Sequence, residues 1–557
     1  MRAPAAAVGR PWTASYPAGL AWDTPLPVRT VYDLLADAVA QWPDERCLDF
    51  LCRTWTYAEV DREVREVAAG LRLHGVAAGS RVGLLLPNAP PFVFAFFAVQ
   101  HCGATAVQFS TLLAEHELAV QLDDSGVELL ITLDSTQLLG RCAGVLRASR
   151  LRRVIVCDLA DFLPLGKRLL ATMLGRGERV AWQEDDLLLR WDRLHGERRD
   201  LGPAAIEPRR DAAAILYTAG TTGQPRGVLL SHANLSANAH QNRLWFTQAE
   251  PGQERVVAIL PFFHAYGLTA VMLFAITLGA QLVLLHRFEP KGFPRMLRRT
   301  RPSFLAGVPT LFAALPDLPG SRPEDFASLK VCVSGGDALP EAVRQRFEAF
   351  AGVPLTQGYG LTECGPVVAC GNPLAHRERP GSVGLPLPGT EVTVRDPAGG
   401  ELPPGEIGEI CVRGPQVMLG YAGRHHETRS VLQGGWLRTA DLGRLDADGY
   451  LWMVDRLMDV IVTNGTKVYP HQIETALLTH AAIVEAVVVA EPDPRAGAVP
   501  VAHLVLRPGA RVGDDELRLY LAPMVSRPAL PRRFRLHASL ARTRMGKVER
   551  AALAGGG

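Results

Sequence analysis

One stretch constrains the fold of this chain more than any other: Tyr217-Thr218-Ala219-Gly220-Thr221-Thr222-Gly223-Gln224-Pro225-Arg226-Gly227-Val228. The apolar run Ala212 to Leu216 leads into it and Val228-Leu229-Leu230 leads out. It therefore reads as a loop between two buried strands. Glycine lets backbone N–H groups converge where a side chain would block them. Thr218, Thr221 and Thr222 add hydroxyl donors, and Arg226 adds a planar positive fork that suits phosphate. The ATPase loop is a different object, since it needs Gly-Lys followed by Ser or Thr, and here Gly227 follows Arg226. Taken alone, such a stretch is more often an ordinary glycine-rich turn; the rest of the chain favours phosphate.

The alternation around this loop is that of an α/β protein. Thr30 to Val39 is expected as a short helix and Tyr57 to His74 as an amphipathic one, with Val60, Val64, Val67 and Leu71 near one side. Val82 to Leu86, Thr105 to Phe109, Leu129 to Leu133 and Val154 to Cys157 read as buried strands, and Pro91 to Val99 as a helix between the first two. A helix is expected at Asn234 to Phe246 and a strand at Val256 to Leu260. Tyr266 to Leu285 is uncharged and about long enough to tempt a membrane assignment. Gly279 divides it, however, so it reads as a buried helix to Leu278 and a strand from Gln281. Residues 1–30, rich in proline and alanine, are expected to wrap the surface.

After Gly381 the texture becomes short β pieces separated by turns, at Glu391 to Val394, Gly408 to Arg413 and Tyr450 to Val454. A smaller unit follows, with a helix core at Ile473 to Leu478, strands at Ala486 to Val489 and Val501 to Leu506, and a helix at Asp514 to Leu521. The expected organisation is a large N-terminal domain of layered α/β subdomains with a small β-barrel-like part, residues 1–455. A small mobile α+β domain, residues 456–557, completes it.

Charge and cysteine content exclude some classes. A net charge of +2 over 557 residues carries no nucleic-acid footprint. The 9 cysteines are scattered without a zinc spacing, which fits a reducing compartment. No secretory signal is visible behind Met1, so a cytoplasmic location is expected. Lysine occurs only at Lys167, Lys291, Lys330, Lys467 and Lys547 among the 59 basic residues, so each one carries more information than usual. Asp161 to Leu170 is apolar and basic; it reads either as an amphipathic surface element touching lipid at the membrane's inner face or as a segment packed on the protein's own body.

Further motifs supply chemistry. Pro261-Phe262-Phe263-His264-Ala265-Tyr266-Gly267 follows a strand, on the usual ligand side of an α/β sheet. His264 is thus a candidate at a substrate site, or a structural histidine beside aromatics. Val331 to Ser334 ends in Gly335-Gly336-Asp337, where a flat ring can lie against backbone. Gln357-Gly358-Tyr359-Gly360-Leu361-Thr362-Glu363 offers a ring, a hydroxyl and a carboxylate beside close-approach glycines. A carboxylate beside phosphates requires a divalent cation between them, so Glu363 is the candidate metal ligand. Trp436-Leu437-Arg438-Thr439-Ala440-Asp441 places an acid that can accept from both hydroxyls of a ribose. Arg542-Thr543-Arg544-Met545-Gly546-Lys547 is a basic tail in which Lys547 stands out.

In this order and spacing, over residues 28 to 551, these motifs resemble the adenylate-forming superfamily of acyl-CoA synthetases, luciferases and peptide-synthetase adenylation domains. The resemblance implies a two-step reaction: a carboxylate attacks the α-phosphorus of ATP and releases pyrophosphate, then a thiol, usually that of coenzyme A, displaces AMP. It implies that the loop from Thr218 to Gly227 (with Gly220, Thr221, Thr222, Gly223 and Arg226) holds the β- and γ-phosphates. Thr362 contacts the α-phosphate and Glu363 holds Mg²⁺. Gly335, Gly336 and Tyr359, beside Asp337, frame the adenine, and Asp441 and Arg456 hold the ribose. Lys547 swings in to stabilise charge during adenylation. After rotation of the small domain, Gly465 and the Thr463 to Tyr469 strand line the tunnel for coenzyme A. The chain departs from the family's usual residues at Ala219, Arg226, the hinge position Met458, and Ala498.

For the acid, the resemblance of the Ala160 to Leu170 stretch to bacterial long-chain acyl-CoA synthetases favours a long-chain fatty acid. Apolar walls at Phe263 to Leu273 and Leu305 to Val308 agree, since each buried methylene contributes about 0.8 kcal/mol. Medium-chain or aryl acids are the alternative. A fatty acyl-AMP ligase loading a carrier protein would carry an insertion near Asp455 to Asp459, and none is seen. An amino-acid-selecting domain would present an aspartate in Pro261 to Leu268. A catalytically inactive lipid-binding or scaffold protein would not need Glu363, Asp441 and Lys547. The sequence implies no oligomeric state.

Overall fold

The computed structural model describes residues 9–164, 166–167, 180–195, 202–218, 225–372, 379–457, 459–463, 466–493, 496–542 and 548–554. Ala219, Gly220, Thr221, Thr222, Gly223, Met458, Gly465 and Lys547 lie outside these.

Two large sheets carry the N-terminal part. The eight-stranded sheet runs, from its edge, Gly420–Tyr421, Arg226–Ser231, Ala212–Thr218, Thr105–Gln108, Arg81–Leu85, Leu129–Leu133, Arg153–Cys157 and Leu188–Arg190. Its centre is parallel, and the Ala212–Thr218 and Arg226–Ser231 strands form an antiparallel hairpin at one side. The nine-stranded sheet is built largely of parallel pairs, with Val331–Ser334 between Phe304–Gly307 and Leu355–Gly360. Strands covered on both faces are apolar over most of their length, and Leu129–Leu133 and Gln281–Leu284 are buried at every position. Pro90–His101, buried along its whole length, fills the interior as a helix that is apolar on all sides.

The segment tempting as a membrane span breaks up as its glycine predicted. Short helical turns cover Ala265–Thr277, Gly279 has φ +65°, and Gln281–Leu284 is a strand. Among the described residues no helix is long and apolar enough to cross a membrane.

One helix start differs from expectation through capping. The helix expected from Asn234 begins at His232, because the Ser231 hydroxyl accepts from Asn234 N and the Asn234 side chain accepts from Ser231 N. The helix expected from Tyr57 does start there, through the same reciprocal pair between Thr56 and Glu59. Of the Asp161 to Leu170 element, only residues 161–164 and 166–167 are described. Phe162 is buried against Phe94 and Trp191, which is packing on the protein's own body.

Of the N-terminal segment, residues 9–30 run over the surface but are anchored. Trp12 is fully buried, Tyr16 O–H donates to Pro386 O, and Trp22 Nε1 donates to Thr390 O at 2.8 Å. A Cβ at Gly449, which has φ +82°, would lie 2.4 Å from Trp12 N. Gly449→Ala is therefore expected to lower the thermal midpoint by several degrees, roughly 1–3 kcal/mol, by lifting this strap; unchanged unfolding in a calorimetric scan would show the strap to be loose.

A five-stranded antiparallel sheet follows: Glu391–Arg395, Gly408–Arg413, Trp436–Leu445 and Leu432–Gln433 in order, with Leu451–Arg456 also on Trp436–Leu445. The small C-terminal domain has its own five-stranded sheet and its own apolar cluster around Ile473, Leu477, Val488, Leu504 and Leu517.

Candidate functional site

The site assembles where the ends of both large sheets meet the antiparallel sheet. The hairpin register places Thr218 opposite Arg226 and Tyr217 opposite Gly227. Gly227 must be glycine, since a Cβ there would sit 2.9 Å from Ile215 Cγ2. The hairpin's outer strand is joined by Gly420–Tyr421, with Tyr421 opposite Val228.

That short edge strand creates the contact on which the site turns. Tyr421 O–H donates to Glu363 Oε1 at 2.9 Å, and the Arg226 guanidinium lies 5.4 Å over the Tyr421 ring. Arg226 Nε is 2.8 Å from Glu427 Oε2. Glu363 follows Gly360, where a Cβ would lie 2.2 Å from Pro366 O, so the chain turns there at contact distance. Glu363 O in turn accepts from Met418 N at 2.9 Å. Burial pushes the Glu363 carboxyl above its ordinary range and Asp441 adds to this, while the Tyr421 hydroxyl and Arg226 oppose it.

A second pair adjoins. Buried Tyr359 donates through its hydroxyl to Asp441 Oδ2 at 2.8 Å. Arg456, exposed and directly across the strand pair, approaches Asp441 to 3.9 Å. Ala440 takes the left-handed conformation, φ +59°, uncommon for a residue with a Cβ. Three bonds hold it there: Ala440 N to Glu409 Oε1, Asp441 N to Thr439 Oγ1, and Leu457 N to Ala440 O. Strain of this kind persists where surroundings over-determine it, and here it aims the Asp441 side chain.

Ser334 pairs with Gln357, so Gly335 and Gly336 emerge beside Gly358 and Tyr359. The Tyr266 ring covers Gly335, 3.0 Å from where a Cβ would be, and Tyr266 O–H donates to Val333 O at 3.2 Å. Gly336 has φ +82°, and Asp337 Oδ1 accepts from Ala338 N. His264 opens the turn carrying Tyr266, and its ring lies 4.9 Å from that of Phe263.

The structure thus brings Thr218, Arg226, Tyr359, Thr362, Glu363, Asp441 and Arg456 to one region, with Gly335, Gly336 and Asp337 on the adjoining strand end. His264 connects to it through Tyr266. Gly220, Thr221, Thr222, Gly223, Gly465 and Lys547 lie outside the described residues. Sequence reasoning missed Tyr421, Glu427, Glu409 and the strain at Ala440. Only the Gly420-Tyr421 pair hinted at any of them, as a glycine freeing a ring in a loop.

Glu363 fits a magnesium ion shared with a nucleotide. Among the described residues no cluster of three His, Cys, Asp or Glu could hold a metal alone. Magnesium characteristically takes one or two carboxylates and completes its shell with substrate phosphates and water. A half-buried carboxylate that reaches Arg226 through Tyr421 matches that donor set.

Comparison with known proteins agrees with this geometry. The family description "AMP-binding enzyme" matches residues 35–422, and "AMP-binding enzyme C-terminal domain" matches residues 472–547. A long-chain-fatty-acid–CoA ligase of Bacillus subtilis is 35% identical over 553 residues, 97% of each chain. A solved anthranilate CoA ligase in complex with anthranoyl-AMP superposes with a TM-score of 0.82 at 26% identity, covering 95% of this chain and 97% of that one. An o-succinylbenzoate coenzyme A synthetase of Bacillus subtilis, solved with ATP and magnesium, gives 0.76 at 29% identity over 93% and 98%.

Proposed function

Since the chain belongs to the AMP-binding enzyme family, we propose that it is an ATP-dependent long-chain fatty acid–CoA ligase working through an acyl-AMP intermediate. The observation that carries the adenylation step is a pair of neighbouring contacts: the Arg226 guanidinium over the Tyr421 ring with the Tyr421 hydroxyl on Glu363, and the Tyr359 hydroxyl on Asp441, whose charge is felt at Glu363. This arrangement supports reading Glu363 as a cation ligand, Tyr359 as a ring platform and Asp441 as a diol acceptor.

In this reading Thr218 and Arg226, with the loop between them, hold the β- and γ-phosphates. Thr362 meets the α-phosphate. Glu363 holds Mg²⁺, which draws charge from the phosphates when bound. Tyr359, Gly335 and Gly336 hold the adenine, with Asp337 beside them, and Asp441 and Arg456 the ribose. His264 lies on the acid's side of the site. Lys547 approaches from the small domain, residues 456–557, to stabilise charge on the α-phosphate as the carboxylate of the acid attacks and pyrophosphate leaves. The thiol of coenzyme A, entering past Gly465, then displaces AMP. The 35% identity to the Bacillus subtilis relative over 97% of each chain supports a long-chain acid. The fold match to an anthranilate ligase keeps an aryl acid as the second reading.

The test is pyrophosphate and AMP release with ATP and Mg²⁺ across saturated acids from acetate to stearate, plus benzoate and anthranilate, with and without coenzyme A. Coenzyme A-dependent turnover peaking at laurate or beyond is expected. A benzoate or anthranilate maximum would replace the long-chain reading, and pyrophosphate without thioester would point to a ligase serving a carrier protein.

Tyr421→Phe probes the cation site by pH. The hydroxyl lowers the Glu363 pKa, so its loss raises that pKa further. Glu363 must be ionised to hold the cation. The acidic limb of the pH–rate profile should therefore move to higher pH, with about a tenfold loss or less at neutrality. A limb that stays in place would separate Glu363 from the rate.

A further inference from the structure

The junction between the two domains carries a buried carboxylate that the reaction above does not use. Asp455 lies on the Leu451–Arg456 strand, opposite Leu442, and is only 7% exposed. Its Oδ1 accepts from Arg456 N at 2.8 Å. Its Oδ2 accepts from His471 N at 2.9 Å, sixteen residues further on in the small domain.

His471 N belongs to the first turn of the Pro470–Leu478 helix, whose opening N–H groups have no partner within the helix. The residue in the capping position, Tyr469, makes no side-chain cap, and Pro470 has no N–H to offer. The cap is instead Asp455, reaching across the hinge, with its charge at the positive end of the helix dipole.

What the cap grips is the framework of the small domain. One turn along the same helix, buried Glu474 accepts from Val488 N at 2.7 Å and pairs with Arg550 at 2.7 and 2.8 Å. His471 Nδ1 lies 3.5 Å from Glu474 Oε2. Arg550 also donates to Val488 O at 2.9 Å and approaches Asp459 to 3.8 Å. Helix, sheet and the chain just after Lys547 are thereby one body. All these links travel with that body when it turns. The Asp455 bond spans the hinge, so rotation must break it, leaving the carboxylate without its His471 partner and the helix uncapped.

We propose that Asp455 is a positioning residue: by capping the Pro470–Leu478 helix from across the hinge, it latches the small domain at one of the two angles that the half-reactions require. The proposal rests on the two-step ligase reading for its kinetic consequence, though the latch itself does not.

Two measurements on the full chain test it, with Asp455→Ala and the conservative Asp455→Asn. In hydrogen exchange without substrates, the Asp455→Ala variant should expose the His471 amide about tenfold faster, while the amides of Ala476, Leu477 and Leu478 keep the parent rate. In kinetics, pyrophosphate release without coenzyme A is compared with thioester formation from supplied acyl-AMP. The ratio of the two rates should shift about tenfold in Asp455→Ala and less in Asp455→Asn, which retains one oxygen acceptor. Equal loss in both half-reactions, faster exchange along the whole helix, or an unmoved His471 amide would each overturn the latch. If the parent releases no pyrophosphate with any acid, the ligase reading fails, and the exchange result alone decides the latch.

Discussion

Replacing Lys547 by alanine should lower acid-dependent pyrophosphate release by about a hundred- to a thousandfold, while thioester formation from supplied acyl-AMP stays within about tenfold of the parent. The attack of a carboxylate on the α-phosphate brings negative groups together, and a fixed ammonium is worth most where that charge accumulates. Only the first half-reaction gathers such charge against Lys547, so the two steps should separate. Lys547→Arg keeps the charge but not the compact shape and should recover part of the loss. Rapid-quench measurement of each step on the same preparations gives the comparison. No ATP turnover in the parent, with the variant behaving the same, would leave the chain as a lipid-binding or scaffold protein on a ligase fold, whereas a variant as active as the parent in both steps would remove Lys547 from the chemistry. Equal loss in both would mean that the tail serves structure.

Glu363→Gln is expected to cost a similar factor by a different route. The amide has the shape of the carboxylate, and its oxygen can still accept from Tyr421, so the cluster with Arg226 should persist. What disappears is the negative charge that a magnesium ion needs beside the phosphates. Pyrophosphate release should fall by about a hundredfold or more, and raising Mg²⁺ should recover part of it. The acidic limb that Glu363 imposes should vanish as well, since glutamine does not titrate. Removing a half-buried charge should leave the thermal midpoint unchanged or slightly raised. Unaltered Mg²⁺ dependence in this variant would assign the cation to other ligands.

Much of the fold was legible because its signals are local. Apolar runs such as Leu129–Leu133 and Val154–Cys157 can only be covered strands, and they lie side by side in one sheet. The helix at Asp514–Leu521 has the limits its pattern indicated. Helix starts proved harder where a side chain intervened, as at Ser231, whose cap begins the helix earlier than its apolar pattern does.

The candidate site divides in the same way. Gly335, Gly360 and Gly227 could be named from the chain alone, because close approach of backbone has no substitute for glycine. Their collisions with Tyr266, Pro366 and Ile215 are the tertiary face of that requirement. Tyr421 could not be named, because its role depends on a two-residue edge strand meeting Arg226–Ser231 from far along the chain. Ala440 could not either, since its strain is held by Glu409 on a neighbouring strand.

The sequence by itself determined the layered α/β order, the glycine-framed turns and the types of residue offered to a nucleotide. These follow from backbone sterics and hydrophobic periodicity, which act over a few residues. The tertiary structure alone decided that Tyr421 joins Arg226 to Glu363, that Tyr359 holds Asp441, and that Asp455 caps a helix across the hinge. Each of those is a hydrogen bond or ring contact between residues distant in the chain, and its strength depends on burial and on ångström-scale approach that no local pattern encodes.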